Sequence, residues 1–134
     1  MSAVKHDGGK PMISLVNRRA IEEEARVMMF GLQKYGRDNW RGGMAFSRCI
    51  DAGLRHLHAF ADGEDLDEET GLSHLAHARC CLAFLLEYLH THPELDDRYG
   101  KQKTGNSVHR KRAQPSVKKR VRAEKPQRVR RRNS

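Results

Sequence analysis

Apolar residues recur at helical spacing in three segments of the chain. In the first they fall at Ile21, Ala25, Met28, Leu32 and Tyr35, one stripe of an amphipathic helix. The predicted helix runs from about Asn17 to Lys34. Asn17 is a suitable N-cap, Glu22 and Glu23 sit in the early turns, and Gly36 is the expected stop. A second helix is predicted from Ser47, as N-cap, to Ala61. Ile50, Leu54, Leu57 and Ala61 make its apolar face. Asp51, Arg55, His58 and Asp62 make a neighbouring polar stripe. The third predicted helix runs from Gly71 to His92, and Pro93 follows it. Between Leu72 and Leu89 it is apolar on nearly every side, the pattern of a buried helix. No segment alternates convincingly enough to predict a strand, so the class is all-α.

The connections also carry signals. Residues 1–16 form an arm with the turn sequence Asp7-Gly8-Gly9-Lys10-Pro11. Residues 36–45, GRDNWRGGMA, read as a loop with a lone Trp40. Asp62–Gly71 reads as an acidic turn, and Glu94–Tyr99 as a short turn or helix. Three helices of this length bury little by themselves. Covering the third on all sides calls for a second copy, so the bundle is expected to be completed by homo-oligomerisation.

Charge divides the chain. Residues 1–100 hold 12 Lys+Arg against 16 Asp+Glu, while residues 101–134 hold 14 Lys+Arg against Glu124 alone. The net charge of +9 therefore belongs to the tail, and the body is mildly acidic. The expected organisation is a helical domain over residues 1–100 and a disordered basic tail over 101–134. Such a tail binds nucleic acid without sequence preference, or it is a solubilising extension. Three cysteines do not make a disulfide framework. Adjacent Cys80 and Cys81 point about 100° apart on a helix, which suits core packing in a reducing cytoplasm better than bridging. His74, His77, Arg79 and Glu87 interrupt the longest apolar run, so it falls short of the roughly 18–20 uninterrupted residues of a membrane span. The N-terminal sequence MSAVKHDGGKP has no apolar signal core. A cytoplasmic location is expected.

Two places attract chemistry. His74 and His77 are three apart on one face of the helix that should be buried, and they need partners there. With Asp51 and Arg55 from the second helix they form either a divalent-cation site or a hydrogen-bonded structural network. An antiparallel pairing of these helices brings the histidines nearer His58 and Arg55 than Asp51. The other place is Lys34-Tyr35-Gly36-Arg37-Asp38-Asn39-Trp40-Arg41. It offers cations for phosphate, rings for stacking on a base and an amide for a base edge. The alternative is a helix cap with Trp40 plugging the core. Glu24 touches the apolar stripe of the first helix, either as a snorkelling acid or as an inward ligand.

Three strings in order, "DGGKPMISLV", "FGLQKYGRDNWR" and "DAGLRHLHAFADGEDLDEETGLSHLAHARCCLAFLLEY", resemble the phage dATP/dGTP diphosphohydrolase N-terminal family. This family is a relative of the MazG-like all-α nucleotide pyrophosphohydrolases. The resemblance covers about residues 5–90. It implies an oligomerising all-α bundle that cleaves purine deoxynucleoside triphosphates to monophosphate and pyrophosphate with a divalent metal, Mg²⁺ or Mn²⁺. On this reading Asp51, His74 and His77 hold the metal. Asp51, Arg55 and His77 carry catalysis, Lys10, Lys34 and Arg55 neutralise phosphate, and Tyr35, Asn39 and Trp40 frame the base. The chain departs from the MazG pattern, in which ExxE and ExxD acids on two helices hold the metal, because histidines stand here in place of acids. The rival function is a non-enzymatic nucleic-acid-binding accessory protein working through the tail.

Overall fold

The computed structural model of the chain describes residues 2–104. Most of the basic tail, with the disorder and nucleic-acid binding expected of it, lies outside the described residues. Four helices carry the fold: α1 (Arg18–Tyr35), α2 (Phe46–Ala61), α3 (His74–Thr91) and a short α4 (Tyr99–Thr104). Single 3₁₀ turns lie at Ile13–Leu15, Asn39–Gly42 and Pro93–Leu95. Among the described residues there is no strand, and the all-α class holds. Helix α4 crosses the boundary placed at residue 100, so the first residues of the basic segment continue a helix.

Capping sets where the helices start. The Asn17 side chain accepts from the Ala20 amide at 3.3 Å and begins α1 as expected. Gly36 ends it at φ 89°, with its amide bonded to the Leu32 carbonyl. Helix α2 begins two residues earlier than its sequence predicts, with Ala45 and not Ser47 at the N-cap position. Ser47 does not cap it; instead its amide and hydroxyl both donate to the Asp97 carboxylate. A distant acid thus neutralises the positive end of α2 and ties the segment after α3 to it. Helix α3 starts at His74 rather than Gly71, because Ser73 caps it by accepting from the Leu75 amide. The residues before Ser73 are held in a closed loop by Asp67 N–H to Leu72 O (2.8 Å) and Gly71 N–H to Asp67 O (2.7 Å).

Helix α3 lies at the centre and is the most buried element, with His74, Ala76, Ala78, Cys80 and Tyr88 inside. It runs antiparallel to both neighbours. Beside α1, Val27 packs on Ala76 and Cys80, and Glu24, three-quarters or more covered, pairs with Arg79 of α3. Glu24 is therefore an inter-helix tie. Beside α2, Phe46 and Cys49 meet Tyr88 near one end, and His56 meets His74 at the other. Helices α1 and α2 barely touch, and a cleft opens between them over one side of α3.

Two predicted core faces are turned outward. On α1 the buried residue is Val27 and Met28 of the predicted stripe packs against the same cluster, while Ile21, Leu32 and Tyr35 are 43–61% exposed. On α2 the inner face is Phe46, Cys49 and Gly53, while Leu54 and Leu57 stay more than 40% exposed. The physical reason is close approach. A Cβ built on Gly53 would sit 3.5 Å from the Cys81 Cβ, so the small residues Cys49 and Gly53 let α3 come nearer than the bulky stripe could.

Candidate active site

The loop that closes α2 to α3 builds the polar end of the cleft. Asp67 Oδ2 accepts from the Thr70 amide at 3.0 Å and from its hydroxyl at 3.2 Å. Thr70 Oγ1 also accepts the Leu72 amide and lies 2.7 Å from His77 Nε2. The hydroxyl has one hydrogen and two lone pairs. Donating to Asp67 and accepting from Leu72 leaves one lone pair, which a hydrogen on His77 Nε2 fills. Thr70 thereby sets the His77 tautomer and leaves its Nδ1 unprotonated. Among the described residues that Nδ1 makes no hydrogen bond.

Three imidazoles meet here. The His56 ring stacks on His77 at 4.4 Å and 11°, and its Nδ1 is 2.9 Å from His74 Nδ1. Burial, reinforced by the nearby His77, pushes the His56 pKa down against the pull of Asp67. Burial likewise lowers that of His77, with Asp67 opposing. Burial would raise the Asp67 carboxyl, but the Thr70 amide and hydroxyl outweigh it and hold the group below its ordinary value. His74 is only 5% exposed, and its Nε2 is buried without a hydrogen-bond partner.

The donor set fits a divalent cation. Atoms of His56, Asp67 and His74 lie within 4.8 Å of one another, and a buried polar atom lacking a partner beside them is the kind of group that binding an ion can satisfy. The expected set of Asp51, His74 and His77 is not assembled. Asp51 and Arg55 stand on the exposed side of α2, because Gly53 and His56, not the polar stripe, face α3. His77 lies outside the group of His56, Asp67 and His74, and its Nε2 is taken up by Thr70.

The cleft as a whole, polar end included, has a volume of about 740 Å³ and lies between the C-terminal half of α1, the Gly36–Met44 loop and the imidazoles. Lys34, Tyr35, Asn39, Trp40 and His77, drawn from both predicted places, line it together with Arg37 and Arg48. Lys10 lies exposed in the N-terminal arm and is not among the lining residues. Lys34 reaches across the mouth to Glu69 at 2.9 Å, and that bond raises its pKa. Trp40 stacks on Phe84 (4.9 Å, 9°), carries the Arg41 guanidinium 4.7 Å from its centroid and packs against the Phe46–Cys49–Tyr88 cluster. It forms the wall of the cleft. Tyr35 is the ring that stays open, 61% exposed. His92 fixes this loop from behind: its Nε2 is 2.7 Å from the Arg41 carbonyl and its Nδ1 3.0 Å from Glu94. Gly43 fits against it because a Cβ there would meet His92 and Leu95 at under 3 Å.

Sequence reading missed Asp67 and Thr70, and it noted His56 on the second helix without giving it a place in the site. A signal for each was present: His56 follows Cys49 and Gly53 at helical spacing, and Asp67-x-x-Thr70 is a turn signature.

Comparison with known proteins bears on this site. The family model described as dATP/dGTP diphosphohydrolase, N-terminal, matches residues 2–98. A protein of Salmonella phage PMBT28 named dATP/dGTP diphosphohydrolase is 45% identical over 98 residues, 73% of this chain and 33% of that protein. The chain thus spans about a third of that curated relative's length. No solved structure matches the chain.

Proposed function

The chain belongs to the dATP/dGTP diphosphohydrolase N-terminal family, and we propose that its cleft hydrolyses dATP and dGTP to the monophosphate and pyrophosphate. The observation that carries this reading is a single cleft with cations and an open ring at one end and an oriented, unprotonated imidazole nitrogen at the other. Its volume of about 740 Å³ falls in the range of small-molecule sites. Lys34, Arg37 and Arg48 neutralise the triphosphate, and Glu69 gives Lys34 up as phosphate enters. Tyr35 stacks on the purine and Asn39 meets its edge, while Trp40 shapes the wall. Lys10, Asp51 and Arg55 have no part in this assignment.

His77 acts as general base. Its Nδ1 takes the proton of a water that attacks the α-phosphorus. The bond from that phosphorus to the bridging oxygen breaks, and pyrophosphate leaves with the bond's electrons. Thr70 and Asp67 keep the ring in the required tautomer and orientation. A divalent cation, Mg²⁺ or Mn²⁺, at His56, His74 and Asp67 would offset negative charge on the phosphates. No helix among the described residues is long and apolar enough to cross a membrane, and we place the activity in the cytoplasm, where the nucleotide pool is.

We also propose that the working form is a homo-oligomer. Leu75, Leu82 and Leu86 make one stripe of α3 and are 44–67% exposed. Leu54, Leu57 and Phe60 of α2 are 40–45% exposed. Exposed large apolar side chains recurring along two packed helices support an interaction surface there. The hydrolase reading is tested by incubating the full chain with each of the four deoxynucleoside triphosphates and a divalent ion and separating the products. Monophosphate and pyrophosphate from dATP and dGTP support it; diphosphate and phosphate, or no turnover of either purine nucleotide, overturn it.

A further inference from the structure

We propose that His56, His74 and Asp67 form a two-imidazole, one-carboxylate site that takes a first-row transition ion such as Mn²⁺, Co²⁺ or Zn²⁺ in preference to Mg²⁺. The inference refines the hydrolase reading, but it stands on the arrangement of these three side chains.

Start from the 2.9 Å between the two Nδ1 atoms. Without an ion, one of them must carry a hydrogen and the other a lone pair. If His74 is the Nδ1 donor, its Nε2 is a bare acceptor in the interior with nothing to accept from. If His56 is the donor, the Nε2–H of His74 is an unused donor instead. As the side chains stand, His74 Nε2 makes no hydrogen bond, with the Glu64 carboxylate 3.5 Å away, and it is the one buried side-chain nitrogen or oxygen among the described residues in this state. Native interiors leave few such groups.

An ion at the Nδ1 pair fixes one tautomer for both rings. Both nitrogens then offer lone pairs from 2.9 Å apart; with bonds of about 2.0–2.1 Å that spacing suits the right angle of an octahedral ion better than the wider tetrahedral angle usual for Zn²⁺. Both rings then carry their hydrogen on Nε2. For His74 that hydrogen lies 3.5 Å from the Glu64 carboxylate, so a small shift of this exposed side chain completes the carboxylate–imidazole pairing usual behind a metal-binding histidine. Asp67 supplies the third donor. Its Oδ2 is taken by Thr70, and its Oδ1 is left over. His56 and Asp67 both line the cleft, so the ion has access from solvent and faces the substrate.

The donor types choose the ion. Mg²⁺ prefers oxygen ligands in a near-ideal octahedron and loses its waters reluctantly. Imidazole nitrogens favour the borderline ions of the first transition row. Two of three donors here are nitrogen, buried deeply enough that a fully hydrated Mg²⁺ gains little from them.

The test uses the full chain, freed of metal with a chelator and studied without nucleotide, so that it can fail separately from the hydrolase reading. Co²⁺ is titrated by calorimetry and by its visible absorption, and Mg²⁺ by calorimetry. One equivalent of Co²⁺ should bind with a visible band of imidazole ligation, roughly 100-fold or more tighter than Mg²⁺. His56→Gln and Asp67→Asn should weaken Co²⁺ by roughly 10–100-fold or more, while His58→Ala, an exposed histidine of the same helix, should not. His74→Asn probes the buried ligand, with circular dichroism as the check on folding; the half-buried His56→Gln keeps the test decisive if that variant does not fold. Equal affinity for Mg²⁺ and Co²⁺, or Co²⁺ binding that His56→Gln and Asp67→Asn leave unchanged, would overturn the proposal.

Discussion

Thr70 is the residue on which the polar end of the cleft depends. It is uncharged and inconspicuous in the sequence, yet it bonds Asp67, Leu72 and His77 at once. Thr70→Val keeps the shape and deletes the hydroxyl. The expected outcome is a fall in turnover of roughly 10–100-fold, the usual effect of removing a group that orients site residues, with little change in KM. Thr70→Ser, which retains the hydroxyl, should recover most of the loss. A Thr70→Val enzyme with wild-type turnover would mean that His77 needs no such fixing. Glu24 teaches a related lesson. Its position beside the apolar stripe of α1 left two readings open, and the structure supplies a third, because the deciding partner, Arg79, is 55 residues away.

At the scale of elements, the order and kind of the three long helices were legible in the sequence, along with the Asn17 cap and the Gly36 stop, while α4 was not. Which face of α1 and α2 turns inward was not. Periodicity counts apolar residues, and it selected Ile21–Leu32 and Leu54–Leu57; the packing is decided instead by the small Cys49 and Gly53, which admit α3. That one rotation of α2 accounts for Asp51 and Arg55 lying off the site and His56 lying on it. The Gly36–Met44 segment was legible as a loop, but its anchor, His92, comes from beyond the end of α3. Both ring nitrogens of His92 face acceptors, the Arg41 carbonyl and Glu94, so the arrangement is complete only for the imidazolium, and its pKa is raised by the carbonyl first and then by the carboxylate. A raised folded pKa means that stabilisation is fully present below the unfolded value of about 6.5 and is lost as pH rises through the folded pKa. The melting-temperature difference between the wild type and His92→Gln should accordingly be largest at acid pH and shrink above neutrality. A difference that grows with pH would show that His92 is held neutral.

On the scale of the whole molecule, the misassigned stripes and the uncovered leucines are one observation. The sequence carries more apolar faces than a single copy of three long helices can bury, and the surplus lies on the outside of α1 and of the α2–α3 pair. Light scattering on the full chain should therefore give at least twice the 15.4 kDa of one copy; a stable monomer at micromolar concentration would remove the oligomer from the account. The central claim is that the cleft is a hydrolytic site with His77 as its base. The most direct measurement is the rate at which purified full-length wild type and His77→Ala release pyrophosphate from dGTP at saturating nucleotide and metal. The account predicts conversion to dGMP and pyrophosphate by the wild type and a loss of roughly 10²–10⁴-fold in the variant, the range for removing a general base, with helicity unchanged. Equal rates in the two proteins, or no pyrophosphate from either, would contradict it.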